Sequence, residues 1–258
     1  MMSTVRRDVV VHPDANLLAE TTAARLLVTL VDAQSHRAPL HVVLTGGTVG
    51  IRTLAAVAAS PVRDAVDWSQ VHLWWGDERF LPEGDPDRNE TQARDALLTA
   101  LGDALPAANV HAVPALGADV PTPEAAADAY AAELGRHAPE GARVPAFDVL
   151  LLGMGPDGHV ASLFPGHPAL GAQGATTGVH ASPKPPPLRV SLAFEAIRTA
   201  REVWVVAAGA EKAPAVASAL ASAPVEETPA AGAFGTHRTL WLIDAAAAAD
   251  LPPGGTAA

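Results

Sequence analysis

Three short runs in this chain are apolar at nearly every position: residues 40–44 (LHVVL), 71–75 (VHLWW) and 147–152 (FDVLLL). A half-exposed strand alternates polar and apolar residues, so a run without alternation needs cover on both faces. The segments between these runs carry helical spacing. Residues 15–33 repeat Leu17, Leu18, Ala24, Leu27, Val28 and Val31 behind Asp14, which is positioned as an N-cap. Helices are also predicted over 51–59, 89–101, 123–137 (capped by Thr122) and 211–221, and further strands over 5–11, 188–192, 203–207 and 239–243. Strands alternating with helices predict an α/β fold, with a doubly wound, largely parallel, Rossmann-like sheet flanked by helices. One domain is expected over 1–250, with a loose tail over 251–258. The stiff PKPPP segment at 183–187 is too short to be an interdomain linker.

Composition narrows the function. With 49% hydrophobic and 17% charged residues the chain can build a core. The formal net charge of −11 argues against a nucleic-acid partner. There are no cysteines, which removes disulfides, thiolate metal sites and a cysteine nucleophile. No signal peptide or membrane-spanning run is evident, so a cytoplasmic protein without membrane association is expected. An anionic substrate would need a locally positive site within this acidic chain.

Ligands of open α/β sheets bind beyond the carboxyl ends of the strands, and here three strands end in unusual polar loops. The first is Thr45-Gly46-Gly47-Thr48, ahead of a helix whose N–H groups suit a phosphate or carboxylate. It matches neither a nucleotide P-loop nor G-x-G-x-x-G, and a Gly-Gly pair alone is more often an ordinary turn. The second loop is Gly76-Asp77-Glu78-Arg79. Three charges at the end of an apolar strand need partners. Arg79 suits an anion through its planar fork, with Asp77 or Glu78 orienting it or a sugar hydroxyl; a solvated loop with an internal ion pair is the competing reading. The third loop is Gly153-Met154-Gly155-Pro156-Asp157-Gly158-His159. A lone histidine is more often structural, but this one stands at a strand end among three glycines and an aspartate. His159 is therefore the candidate general base, with Asp157 to fix its tautomer.

Ser162 lacks a G-x-S-x-G elbow. His159 and His167 lack zinc-protease spacing. The other histidines, including His111, His137, His180 and His237, are scattered along the chain and read as surface or packing residues, so no metal is expected. Among isolated cations, Lys184, Arg189 and Lys212 are available for phosphate. Arg189 is favoured because an apolar strand fixes it, although a solvated surface is the usual fate of such residues.

These motifs resemble the 6-phosphogluconolactonases. The matching pieces, in the family's order, are Leu44-Thr45-Gly46-Gly47-Thr48; Trp75-Gly76-Asp77-Glu78-Arg79-Phe80-Leu81-Pro82 with Asn89 downstream; Gly153 to Gly166, including Asp-Gly-His-Val-Ala-Ser-Leu-Phe-Pro-Gly; and Pro187-Leu188-Arg189-Val190-Ser191-Leu192. The resemblance implies the sheet of the sugar-phosphate isomerase/deaminase type and cofactor-free hydrolysis of 6-phospho-glucono-1,5-lactone in the oxidative pentose phosphate pathway. It implies His159 as base and a phosphate pocket drawn from Gly46, Gly47, Arg79 and Arg189, to which Thr48 and Lys212 are added. Many members continue the glycine loop with Ser or Thr and then Pro, where this chain has Thr48-Val49-Gly50. The expected partner is a small sugar-phosphate lactone, and the expected assembly a monomer or weak homodimer.

Two alternatives stand beside this reading. A glucosamine-6-phosphate deaminase usually carries Asp-Glu-Tyr where this chain has Asp77-Glu78-Arg79, and Ala-Phe-Asn-Glu-Pro-Gly where it has Ala161-Ser162-Leu163-Phe164-Pro165-Gly166. A non-catalytic sugar-phosphate sensor would keep the anion pocket without needing His159 and Asp157.

Overall fold

The computed structural model describes residues 7–252. The strands are β1 (Arg7–His12), β2 (Leu40–Leu44), β3 (Val71–Trp75), β4 (Asp77–Arg79), β5 (Val149–Gly153), β6 (Thr176–Val179), β7 (Arg189–Leu192), β8 (Glu202–Ala207) and β9 (Arg238–Asp244). The helices are α1 (Ala15–Gln34), α2 (Gly47–Ala59), α3 (Asn89–Ala93), α4 (Thr99–Leu101), α5 (Pro123–Arg136), α6 (Phe194–Ile197) and α7 (Ala213–Leu220). A π turn over Arg94–Leu98 joins α3 to α4.

Six strands form one sheet in the order β1-β9-β8-β5-β2-β3, and every neighbouring pair is parallel. Crossover helices cover it, which explains the apolar runs. Trp74, Trp75, Trp204 and Trp241 are fully buried and carry much of the core. Asp14 caps α1 as expected, its carboxylate accepting from the backbone N–H of Asn16 and Leu17. Thr122 caps α5 in the same way.

The edge of β3 is managed without another full strand. The single tyrosine, Tyr130 on α5, donates its hydroxyl to the Trp75 carbonyl at 3.1 Å and accepts from the Trp75 N–H at 2.9 Å. The N–H of His111 donates to the Leu73 carbonyl at 2.9 Å. These contacts satisfy backbone groups that a bare edge would leave open.

The second sheet is a correction to the sequence reading. Asp77–Arg79 is a strand, not a loop, and it pairs antiparallel with β7, which pairs antiparallel with β6. The predicted strand at 188–192 therefore belongs to this three-stranded sheet and not to the parallel one. Gly76 joins the two sheets: its N–H donates to the Leu44 carbonyl of β2 and its carbonyl accepts from Leu192 of β7.

Other departures are local. Helix α2 starts at Gly47, four residues before the predicted start, because the glycine pair is itself its first turn. Predicted helix 211–221 splits into a 3-10 turn at Ala210–Lys212 and α7. Val5 and Arg6 of the predicted first strand lie outside the described residues. Leu251, the expected start of the tail, packs against the core and its N–H donates to the Ala248 carbonyl; residues 253–258 lie outside the described residues. No helix among the described residues is long and apolar enough to cross a membrane. The histidines read as scattered are partly gathered, with His41, His72, His111 and His137 in one group.

Candidate active site

The carboxyl ends of β2, β3 and β5 open on a cavity of about 320 Å³. Gly46, Gly47, Thr48, Asp77, Arg79, His159, Arg189 and Lys212, chosen from the sequence, all line it. Asp157 stands behind His159.

The glycine loop is held by its neighbours. The Gly153 N–H donates to Thr45 Oγ1 at 3.0 Å, which ties the first loop to the third. A Cβ on Gly46 would fall on the Asn89 side-chain oxygen, so the loop backbone lies directly against α3.

The β5 loop builds the histidine site. The Gly155 N–H donates to the His159 carbonyl, and the Gly158 N–H to the Gly155 carbonyl, both at 3.0 Å. His159 Nδ1 then lies 2.5 Å from Asp157 Oδ1. Since a carboxylate only accepts, Nδ1 carries the proton and Nε2 is the basic nitrogen. The imidazole also rests near Phe164, ring centroids 4.6 Å apart. Partial burial pushes the Asp157 carboxyl up, but the hydrogen bond and charge of His159, with Lys184, outweigh it and hold it well below the usual carboxylate range. Asp157 is therefore ionised through the neutral range.

Gly155 has a steric reason to be glycine. A Cβ there would run into the His159 ring and the Asp157 carboxylate. Gly155→Ala is expected to push the ring off Asp157 and lower turnover at least tenfold while the fold survives. Kinetics alongside circular dichroism check this; unchanged turnover would show that the ring tolerates displacement.

Asp77 is a hub. Its Oδ2 accepts from Ser162 Oγ at 2.6 Å, and its backbone carbonyl accepts from Asn89 Nδ2 at 2.8 Å. Arg189 Nη1 stands 4.0 Å from Oδ2. Ser162, considered above as a nucleophile, thus serves to fix Asp77. Nothing local in the sequence signals that pairing, because the two residues are 85 apart in the chain.

The cations divide in a way that their sequence positions do not reveal. Arg189, favoured for phosphate, is buried and donates Nε to the Pro186 carbonyl and Nη2 to those of Lys184 and Pro185. Much of its donor capacity anchors the proline-rich segment. That segment delivers Lys184 into the cavity, with Nζ 3.4 Å from both Asp157 Oδ1 and His159 Nδ1. Arg79 donates Nη1 to the Asp87 carbonyl, and its buried Nε has no hydrogen-bond partner among the described residues. Lys212 sits just ahead of α7, and burial lowers its pKa despite the opposing pull of Glu211. Four cations at one mouth give an acidic chain a local positive site. Among the other residues lining the cavity are Asn89 and Lys184, the latter weighed for phosphate in the sequence but passed over in favour of Arg189. The signal for Asn89 was its place after Asp77-Glu78-Arg79, and for Lys184 its stiff proline setting.

Residues 13–241 match the family model for glucosamine-6-phosphate isomerases/6-phosphogluconolactonase. The chain belongs to this family. It is 59% identical over 250 residues to a 6-phosphogluconolactonase of Streptomyces coelicolor, covering 94% of each chain. It is 44% identical over 247 residues to a 6-phosphogluconolactonase of Mycobacterium tuberculosis, covering 94% of this chain and 97% of that one. Among solved structures, the 6-phosphogluconolactonase of Trypanosoma brucei superposes with a TM-score of 0.80 at 30% identity, over 96% of this chain and 100% of that one. The expected α/β fold and family membership both hold.

Proposed function

We propose that this chain hydrolyses 6-phospho-D-glucono-1,5-lactone to 6-phospho-D-gluconate, with His159 as the general base. The observation that carries the reading is the His159–Asp157 pair facing the same cavity as a glycine loop at a helix N-terminus and four cations. A lactone carbonyl is already electrophilic, so water can attack it without a covalent enzyme intermediate. His159 Nε2 takes a proton from the attacking water as the new C–O bond forms at C1. The tetrahedral intermediate collapses, the bond from C1 to the ring oxygen breaks, and that oxygen recovers the proton from His159. Ionised Asp157 stabilises the transient imidazolium. Asp77 meets a sugar hydroxyl, and Thr48 joins the phosphate pocket. The Gly46–Gly47 backbone with Arg79, Arg189 and Lys212 receives the phosphate, and clamping it orients the reacting carbon.

The reaction belongs to the oxidative pentose phosphate pathway and is placed in the cytoplasm. One α/β unit over 1–250 carries it, as a monomer or weak homodimer. The relatives named above support the substrate, and the cationic cavity supports an anionic ligand.

The test is a coupled assay. Lactone generated by glucose-6-phosphate oxidation is followed through 6-phosphogluconate oxidation, with a chelator present. Turnover above spontaneous opening is the expected result. Release of ammonia from glucosamine 6-phosphate with no lactone turnover would replace the reading with a deaminase. Binding of sugar phosphate without either reaction would replace it with a sensor.

A further inference from the structure

His41 and His72 are register partners across the β2–β3 pairing, each one residue in from the amino end of its strand. The candidate active site lies at the other end of these strands, about 13 Å further along at 3.3 Å per residue. Two more histidines close on the pair. The backbone bond from His111 to Leu73 lays the His111 ring on Trp74, with centroids 3.9 Å apart and planes 10° from parallel. His137, the C-cap residue just after α5, brings its ring to 4.5 Å from that of His111 and 5.1 Å from that of His72.

Hydrogen bonds set the tautomers. His111 Nδ1 is 2.8 Å from Glu133 Oε1, and His111 Nε2 is 2.8 Å from His72 Nδ1. The carboxylate only accepts, so His111 is protonated at Nδ1 and turns the lone pair of Nε2 toward His72. A metal-binding histidine is held in this way, one nitrogen fixed by a carboxylate and the other presented as a donor. Glu133 is itself held by Arg136.

One ligand atom from each of His72, His111 and His137 lies within 4.8 Å of the other two. Tetrahedral zinc with bonds of about 2.0–2.1 Å separates its ligand nitrogens by about 3.4 Å, so a pair at the widest 4.8 Å has to close by about 1.4 Å, and His111 Nε2 and His72 Nδ1, now 2.8 Å apart, have to open by about 0.6 Å. His72 and His137 are half-buried, which lets solvent reach a fourth position.

We propose that His72, His111 and His137 form a binding site for a divalent transition metal, zinc foremost, at the amino end of β2 and β3, with Glu133 orienting His111 and water as the fourth ligand. Three imidazoles select zinc, nickel or copper over the oxygen-seeking magnesium and calcium. The metal would pin the β3 edge, the segment carrying His111 and the end of α5 together. Its role is structural, because the His159 cavity lies at the opposite end of the sheet.

The experiment uses the untagged chain, stripped with a chelator. Zinc is titrated calorimetrically, and cobalt is added as a spectroscopic probe. Expected are one zinc per chain, the visible absorption of tetrahedral cobalt, and a melting temperature raised by about 5–10 °C when zinc exceeds its Kd 100-fold. Lactone turnover should be the same with and without zinc, so this outcome is independent of the hydrolase reading. His72→Ala and His137→Ala should each weaken zinc binding at least tenfold; His137 is half-exposed at a helix end, so that variant should fold. A folded wild-type chain that takes no zinc, or one whose binding survives both substitutions, would overturn the site.

Discussion

Replacing His159 by alanine is expected to lower lactone turnover by about 10²–10⁴-fold, the usual contribution of a positioned general base. The side chain is only partly buried and its loss leaves the β5 loop's own backbone bonds in place, so the variant should fold and should still bind 6-phosphogluconate. The effect should fall on kcat with KM nearly unchanged, because removing the base withdraws an interaction made only in the transition state. Asp157→Asn gives the companion result. It keeps the shape but replaces the anion that stabilises the imidazolium, so turnover should drop by a smaller factor. Measurement must subtract spontaneous lactone opening. If His159→Ala retained full activity, the base would have to be another group at the cavity.

The second large effect concerns stability. Glu78 is fully buried, and its carboxylate accepts from three backbone N–H groups: Arg79 at 2.8 Å, Asn89 at 2.6 Å and Glu90 at 2.8 Å. Arg88, also buried, stands 3.7 Å away and donates to the carbonyls of Leu81 and Val113. Burial pushes the Glu78 carboxyl up to about 7, against the pull of Arg88 and those N–H groups. Glu78→Ala would leave the start of α3 uncapped and a guanidinium buried without its counter-charge. A loss of about 3–5 kcal/mol is expected, as for other buried pairs broken on one side. Urea denaturation checks it, and a double-mutant cycle with Arg88→Met isolates the pair term. A loss under about 1 kcal/mol would mean that water enters to replace the carboxylate. Asn89 touches both this network and Gly46, so the damage should also reach the glycine loop.

The parallel sheet was legible because strands buried on both faces leave an unbroken apolar signature in the sequence, as in 40–44 and 71–75. The polar ends of three parallel strands were legible because glycines and charges interrupt those runs abruptly. The small antiparallel sheet was not. Asp77–Arg79 is entirely charged, and Thr176–Val179 is short and carries a glycine. Each is a strand only because β7 lies between them.

The sequence by itself determined the α/β class, the order of the strands' loops, and the presence of His159, Asp157 and the glycine pair at strand ends. Those features are local: they follow from apolar periodicity and from the residue types a turn demands. Tertiary structure alone decided what the charged side chains do. It buried Glu78 under backbone donors supplied by residues 89 and 90, joined Ser162 to Asp77, used Arg189 to anchor the segment that delivers Lys184, and set His72, His111 and His137 together. Such pairings join residues distant in the chain, and their free energy depends on distance and on the water excluded around them. Neither quantity exists until the chain has folded.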